Sequence, residues 1–119
     1  MADLNTILSL NPDGQTLRVQ ESALREAGFQ VISVSTPLQA RFEIEMGRCG
    51  VFLTGYITSL AIYRDLAGLF RVNCPPGLII YLTQHASDSV PEADIVLREE
   101  DEPRSIVDKL RSKQETKAS

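Results

Sequence analysis

The chain has few of the residues that build metal sites, disulfide scaffolds and nucleic-acid interfaces. It has no tryptophan, one histidine and two cysteines in 119 residues. Cys49 and Cys74 lack CxxC spacing and a neighbouring histidine, so we expect reduced thiols with a structural role and no metal site. Twelve basic residues are scattered among sixteen acidic ones, giving a net charge of -4. This pattern argues against binding to DNA or RNA.

Long apolar runs are also missing. No stretch approaches the ~20 apolar residues that span a bilayer, and Met1–Asn5 resembles no signal peptide. We therefore expect a cytoplasmic protein that does not bind membranes. The length and the 43% of hydrophobic residues suit one globular domain. We place it at residues 1–112, followed by a flexible tail at 113–119 that has no large apolar residue to dock.

What the chain does contain is a regular alternation of short apolar runs and amphipathic segments. The apolar runs predict five strands, at Thr6–Leu10, Val31–Val34, Val51–Thr54, Leu78–Leu82 and Asp94–Leu97. The periodicity of 3.6 residues predicts four helices, at Gln15–Ala27, Pro37–Met46, Leu60–Phe70 and Pro103–Ser112. Thr36 and Gln39 stand at the positions of a capping box, with proline at the first helical position between them.

Repeated βα units in a short chain predict one fold class, a doubly wound α/β layer structure. We expect a five-stranded parallel sheet of order 2-1-3-4-5 between two layers of helices, as in flavodoxin-like folds. The segment Thr83–Glu92 is polar and short, so the fourth helix of such a fold should be shortened or missing. Ligands of these sheets bind outside the carboxyl ends of the strands, where the first and third strands end.

The span Thr6–Leu110 resembles a response-regulator receiver domain. The resemblance rests on colinear spacing and is carried by the segments Ile7–Asp13 and Leu24–Val31, by Thr83, and by Ala93–Leu97 with Pro103 after it. It implies a bacterial-type module of two-component signal transduction. A working receiver holds Mg²⁺ on an acidic pair after strand one and an aspartate after strand three. That aspartate accepts a phosphoryl group, which a lysine after strand five binds.

Carried over by position, these groups are absent from this chain. The acidic pair falls on Asn11 and Pro12, with Asp13 one residue further along. The phosphoacceptor falls on Gly55, or on Thr54 if the register is one residue shorter. One carboxylate does not replace three, so the resemblance implies a degenerate receiver that is not phosphorylated.

The groups that would bind phosphate are altered too. The lysine position falls on Glu99 and the following proline position on Glu100. Replacing lysine by glutamate changes the local charge by two units in the direction that repels phosphate. The family's aromatic switch position falls on Val96, and only the hydroxyl of Thr83 is kept. The resemblance thus implies a pseudo-receiver without cofactor or catalytic activity, which acts by contact with an unidentified protein.

Several of these residues have a second interpretation. Asp13 is either a remnant metal ligand or, as is commoner for a turn aspartate, the N-cap of the first helix. Thr83 either contacts an anion or bonds the local backbone. Tyr56 either anchors a partner or covers the gap left by the missing aspartate. Val96 and Glu100 are further candidates for partner contacts.

Two other functions stay open. The first is a small α/β enzyme or ligand-binding domain that uses the crevice between strands one and three. No Gly-rich phosphate loop, Cys/His pair or carboxylate dyad supports it. The second is a structural dimerisation module that forms a homodimer.

Overall fold

The computed structural model describes residues 5–55, 58–83, 93–98 and 104–118. Its elements in chain order are β1 Thr6–Leu10, α1 Gly14–Glu26, β2 Gln30–Val34, α2 Pro37–Met46, β3 Val51–Gly55, α3 Leu60–Asn73, β4 Leu78–Thr83, β5 Ile95–Arg98 and α4 Arg104–Ala118. Every predicted strand and helix is present. Of the eighteen ends, eight match the prediction, eight differ by one residue, and the ends of α3 and α4 differ by three and six residues. The terminal residues of an element are set by neighbouring elements as well as by local pattern.

The five strands form one parallel sheet in the order β2-β1-β3-β4-β5, as predicted. β1 and β4 are buried along their whole length, which explains their continuous apolar sequences. Ile7 of β1 pairs with Val51 of β3, and Gly55 of β3 pairs with Leu82 of β4. Ser9 of β1 pairs with Leu53 of β3, so the next residues, Leu10 and Thr54, lie side by side near the carboxyl edge of the sheet.

Helices cover both faces of the sheet and complete the three layers. Under α2 and α3 the largest fully buried side chains are Leu8, Ile44, Phe52, Tyr63, Phe70 and Ile79. Under α1 and α4 they are Ile7, Leu24, Leu53, Ile80, Ile106 and Leu110. Successive residues of each strand face opposite layers, so one strand supplies both halves of the core.

The start of α2 has the predicted capping box. The Thr36 hydroxyl accepts a hydrogen bond from the backbone N–H of Gln39 at 3.2 Å, and the Gln39 side chain accepts one from the backbone N–H of Thr36 at 3.3 Å. Gly47 ends the helix in the left-handed region with φ 68°. Both ends of α2 are thus fixed by local residues.

The last helix differs from the prediction. It was expected to end at Ser112, but α4 continues to Ala118. Residues 113–118 are, apart from one threonine, lysine, glutamine, glutamate and alanine, which have high intrinsic helix propensity. The domain limit at residue 112 and the flexibility of the segment after it stay predictions. The shortened fourth helix was predicted on Thr83–Glu92, and residues 84–92 of that segment lie outside the described part of the chain.

None of the helices in the described ranges has the length and apolar character that a membrane span requires.

Candidate functional site

The residues after β1 form a tight turn at the carboxyl edge of the sheet. The backbone N–H of Asn11 donates to the carbonyl of Val34 at 3.1 Å, which extends the pairing of β1 with β2. The Asn11 side-chain oxygen accepts from the backbone N–H of Asp13 at 2.8 Å, while Pro12 is exposed between them. This is an Asx-type turn, so the Asn11 side chain is occupied by the backbone next to it.

Asp13 is the N-cap of α1, one of the two interpretations given above. Its carboxylate accepts from the backbone N–H of Gln15 at 3.3 Å and from the Thr16 hydroxyl. The bond from the Thr16 hydroxyl is the largest cause that holds the pKa of Asp13 below its usual value of 3.8. Both oxygens of the only carboxylate in this turn are therefore bound to the first turn of α1.

Thr54 lies near the end of β3, beside the end of β1. It is 2% exposed, and its hydroxyl donates to the carbonyl of Leu10 at 3.2 Å. The same oxygen lies 3.0 Å from the hydroxyl of Thr58, which is also buried. These bonds join the ends of β1 and β3 to Thr58, two residues before α3. Sequence reasoning missed Thr58, because nothing in its local pattern marks a partner for Thr54.

Gly55 closes β3 at a place with no room for a side chain. A Cβ atom built there would lie 2.8 Å from the carbonyl oxygen of Leu82 and 3.1 Å from its Cβ. The first of these contacts is to the backbone of β4, which cannot move away as the end of a flexible side chain can. The glycine therefore permits the close approach of two strands.

Of the remaining predicted site residues, only Thr83 and Val96 lie within the described part of the chain. Thr83 ends β4 and is 1% exposed. Val96 lies on β5 opposite Tyr81 and is 37% exposed, so its side chain reaches the surface. Three candidates, Tyr56, Glu99 and Glu100, lie outside the described residues, and their roles stay predictions.

The described ranges contain no group of three or more histidine, cysteine, aspartate or glutamate residues placed to hold a metal ion. Cys49 and Cys74 are not joined by a disulfide, in line with the predicted reduced thiols, and both are buried. The Cys74 sulfur donates to the carbonyl of Cys49 at 3.5 Å. Burial, with smaller contributions from Cys74 and Glu43, raises the pKa of Cys49 to about 12. A thiol held neutral in this way is a poor nucleophile and a poor metal ligand.

Asp94 was predicted to begin the fifth strand, but it lies just before β5 and joins three elements. Its carboxylate accepts from the backbone N–H of Ile79 and from the Arg71 guanidinium, both at 2.7 Å. Arg71 also donates to the carbonyl of Gly77 at 3.1 Å. Asp94 is therefore a structural residue that ties β5 to β4 and to the end of α3. Its partners are distant in sequence, so no local signal identifies them.

No family model matches the sequence, and no curated protein matches it. Solved structures do match. A response regulator from Thermotoga maritima has a TM-score of 0.75 at 14% identity, with 90% of this chain and 94% of that chain covered. A response regulator receiver domain protein from Methanospirillum hungatei has a TM-score of 0.74 at 19% identity, with 96% of both chains covered.

A response regulator from Burkholderia pseudomallei, solved with a phosphorylated aspartic acid, a calcium ion and citrate, has a TM-score of 0.69. Its identity is 15%, with 96% of this chain and 75% of that chain covered. At these identities the likeness is one of backbone fold, and it agrees with the strand order found here. The chain has the fold of response-regulator receiver domains.

Proposed function

We propose that this chain is a receiver-like signalling module that acts through protein–protein contact, without phosphorylation and without catalytic activity of its own. It would serve a two-component-type regulatory system. The observation that carries the proposal is Gly55 at the end of β3, where the receiver resemblance places the phosphoacceptor. The Burkholderia pseudomallei neighbour has a phosphorylated aspartic acid. Glycine has no side chain to carry such a group.

The residues beside Gly55 do not supply a substitute. A hydroxyl nucleophile needs access to the phosphodonor and an adjacent base. Thr54 has neither, because its hydroxyl is buried and donates to the Leu10 carbonyl. The Asp13 carboxylate is exposed but is bound to the start of α1. These contacts support a site in which receiver chemistry has been replaced by structural hydrogen bonds.

The test is incubation of the whole chain with a small phosphodonor and Mg²⁺, followed by intact-mass measurement. We expect no change of mass. An acid-labile gain of about 80 Da, the mass of one phosphoryl group on a carboxylate, would contradict the proposal. A receiver that has its acceptor aspartate, treated in the same tube, controls for the activity of the donor.

The Gly55→Asp variant tests whether only the acceptor is missing. We expect that it too gains no phosphoryl group, because Asn11 and Pro12 stand in place of the metal-binding carboxylates. Phosphorylation of this variant would show that the rest of the site still works. The claim of a generally degenerate site would then be wrong. Circular dichroism of the variant checks that it folds, since an added side chain contacts β4.

A further inference from the structure

The outward face of α2 carries an unusual row of apolar side chains. Leu38 is 78% exposed, Phe42 is 56% exposed and Met46 is 54% exposed. Their spacing of four residues places them in one line along the helix, which we call the α2 ridge. The opposite face of α2 packs Ala40 and Ile44 into the core. A helix at the surface of a monomer needs only one apolar face, and α2 has two.

The α2 ridge continues into a groove beside the edge of the sheet. The groove has a volume of about 360 Å³ and lies between α2 and β2, which is the edge strand. Ile32 and Val34 of β2 line it together with Leu38 and Phe42 of the ridge, and Gln39 and Glu43 of α2 complete the lining. The apolar area is therefore one continuous surface of strand and helix. Contiguous apolar surface of this kind marks interaction sites more often than single exposed residues do.

Charges of both signs flank the other side of the ridge. Arg41 and Glu45 are both exposed there, one helical turn apart. The Arg41 guanidinium lies 3.5 Å from the carboxylate of Asp65 on α3, with the two side chains 47% and 72% exposed. An ion pair so open to water contributes little, so Arg41 is free to exchange it for another carboxylate.

This arrangement is complementary to itself. When two α2 helices pack antiparallel about a two-fold axis near Phe42, the same flank of each helix faces the same flank of the other. Arg41 of one copy then lies about 3 Å along the helix axis from the level of Glu45 of the second copy, within reach of the two long side chains, twice. Leu38 of one copy meets Met46 of the second copy, and the two Phe42 rings meet at the axis. A two-fold interface requires this kind of self-complementary pattern.

We propose that the α2 ridge and the adjoining groove form a homodimer interface in which the occupant is a second copy of this chain. A stable interface buries about 800 Å² on each partner, more than three side chains supply, so the β2 edge of the groove must contribute. We therefore expect a dimer that forms with rising concentration. This inference rests on the proposed function only in that the module acts by protein contact.

The first experiment is sedimentation velocity of the whole chain over a wide concentration range, extending to the millimolar. We expect the wild type to pass from monomer to dimer. Phe42→Glu places two carboxylates at the axis, so that variant should stay monomeric. Val72→Glu is the matched control, because Val72 is 78% exposed on α3 outside the ridge. It should dimerise as the wild type does.

The second experiment uses the charge pairs. Arg41→Glu alone brings two acidic pairs together in its homodimer, and Glu45→Arg alone brings two basic pairs together. Each variant should dimerise more weakly than the wild type. An equal mixture of the two should associate again, because each mixed dimer restores two opposite-charge pairs. If Arg41 pairs only with Asp65 of its own chain, mixing the two variants should not restore dimerisation.

A wild type that is monomeric at every concentration would overturn the inference, and the ridge would then bind a different protein or none. A dimer that survives Phe42→Glu, or a mixture that does not recover, would also overturn it. None of these outcomes changes the mass measured after phosphodonor treatment. Failure of the dimer and failure of the phosphate-independent function are therefore distinguishable.

Discussion

At the scale of single residues, Gly55 determines how closely β3 and β4 approach at their carboxyl ends. The expected contact of a Cβ with the Leu82 carbonyl oxygen at 2.8 Å is shorter than van der Waals contact allows. We predict that Gly55→Ala lowers the free energy of unfolding by about 1–3 kcal/mol, the usual cost of overpacking. Urea unfolding at neutral pH measures this difference.

Gly68 offers the matched control for that substitution. It lies inside α3, is exposed, and has nothing within 4 Å of an added Cβ. Alanine favours helix over glycine by about 0.5–1 kcal/mol, so Gly68→Ala should stabilise the chain. Equal effects of the two substitutions would contradict the role assigned to Gly55.

Cys49 gives the fold a dependence on alkaline pH. Its pKa is raised from 9.0 to about 12, so the folded state keeps the proton that the unfolded state releases. The contribution of the neutral Cys49 thiol to the free energy of unfolding is therefore complete below pH 9.0 and is lost as the pH rises toward 12. We predict that the urea midpoint falls over this window. In Cys49→Ala the urea midpoint should fall less over the same pH range. An equal fall in the two proteins would contradict the assignment of this pH dependence to Cys49.

At the scale of elements, α2 depends on its capping box. Thr36→Ala removes the acceptor for the backbone N–H of Gln39. We predict a loss of about 1 kcal/mol in the free energy of unfolding, as for other N-cap threonines. Ser35→Ala is the control, because the exposed Ser35 hydroxyl makes only a long contact of 3.5 Å to the Gln39 side-chain oxygen and its loss leaves both Thr36–Gln39 bonds in place. Urea unfolding should show a change within about 0.5 kcal/mol for the control.

The elements also show which parts of the sequence carry structural information. The start and the end of α2 were predicted correctly. The threonine, proline and glutamine at its start and the glycine after its end each act on the backbone beside them. The end of α4 was predicted too early. We expected the helix to end at Ser112 because no large apolar residue follows it, whereas α4 continues to Ala118 on residues of high helix propensity.

At the scale of the whole molecule, Asp94 links α3, β4 and β5. Asp94→Ala would leave the buried N–H of Ile79 without its acceptor and the Arg71 guanidinium without its carboxylate. We predict a loss of about 1–3 kcal/mol in the free energy of unfolding. Amide hydrogen exchange at Ile79 should also become faster than at Ile80, because Ile80 keeps its pairing with Ile95 of β5.

Asp65→Ala is the control for that prediction. Asp65 also pairs with an arginine, but its side chain is 72% exposed and the distance is 3.5 Å. We expect its loss to change the free energy of unfolding by less than about 0.5 kcal/mol. A similar effect of both substitutions would mean that Asp94 contributes no more than a surface ion pair.

The sequence by itself determined the order of strands and helices, the parallel sheet, the capping of α2 and the glycine at position 55. These depend on the period of apolar residues and on side chains that act on the adjacent backbone. Only the tertiary structure decided that Thr58 joins Thr54, that the Leu82 carbonyl fills the space over Gly55, and that the α2 ridge adjoins the β2 edge. Those contacts join residues of separate elements. The distances between such elements are set by how the elements pack together, and a local sequence pattern does not contain them.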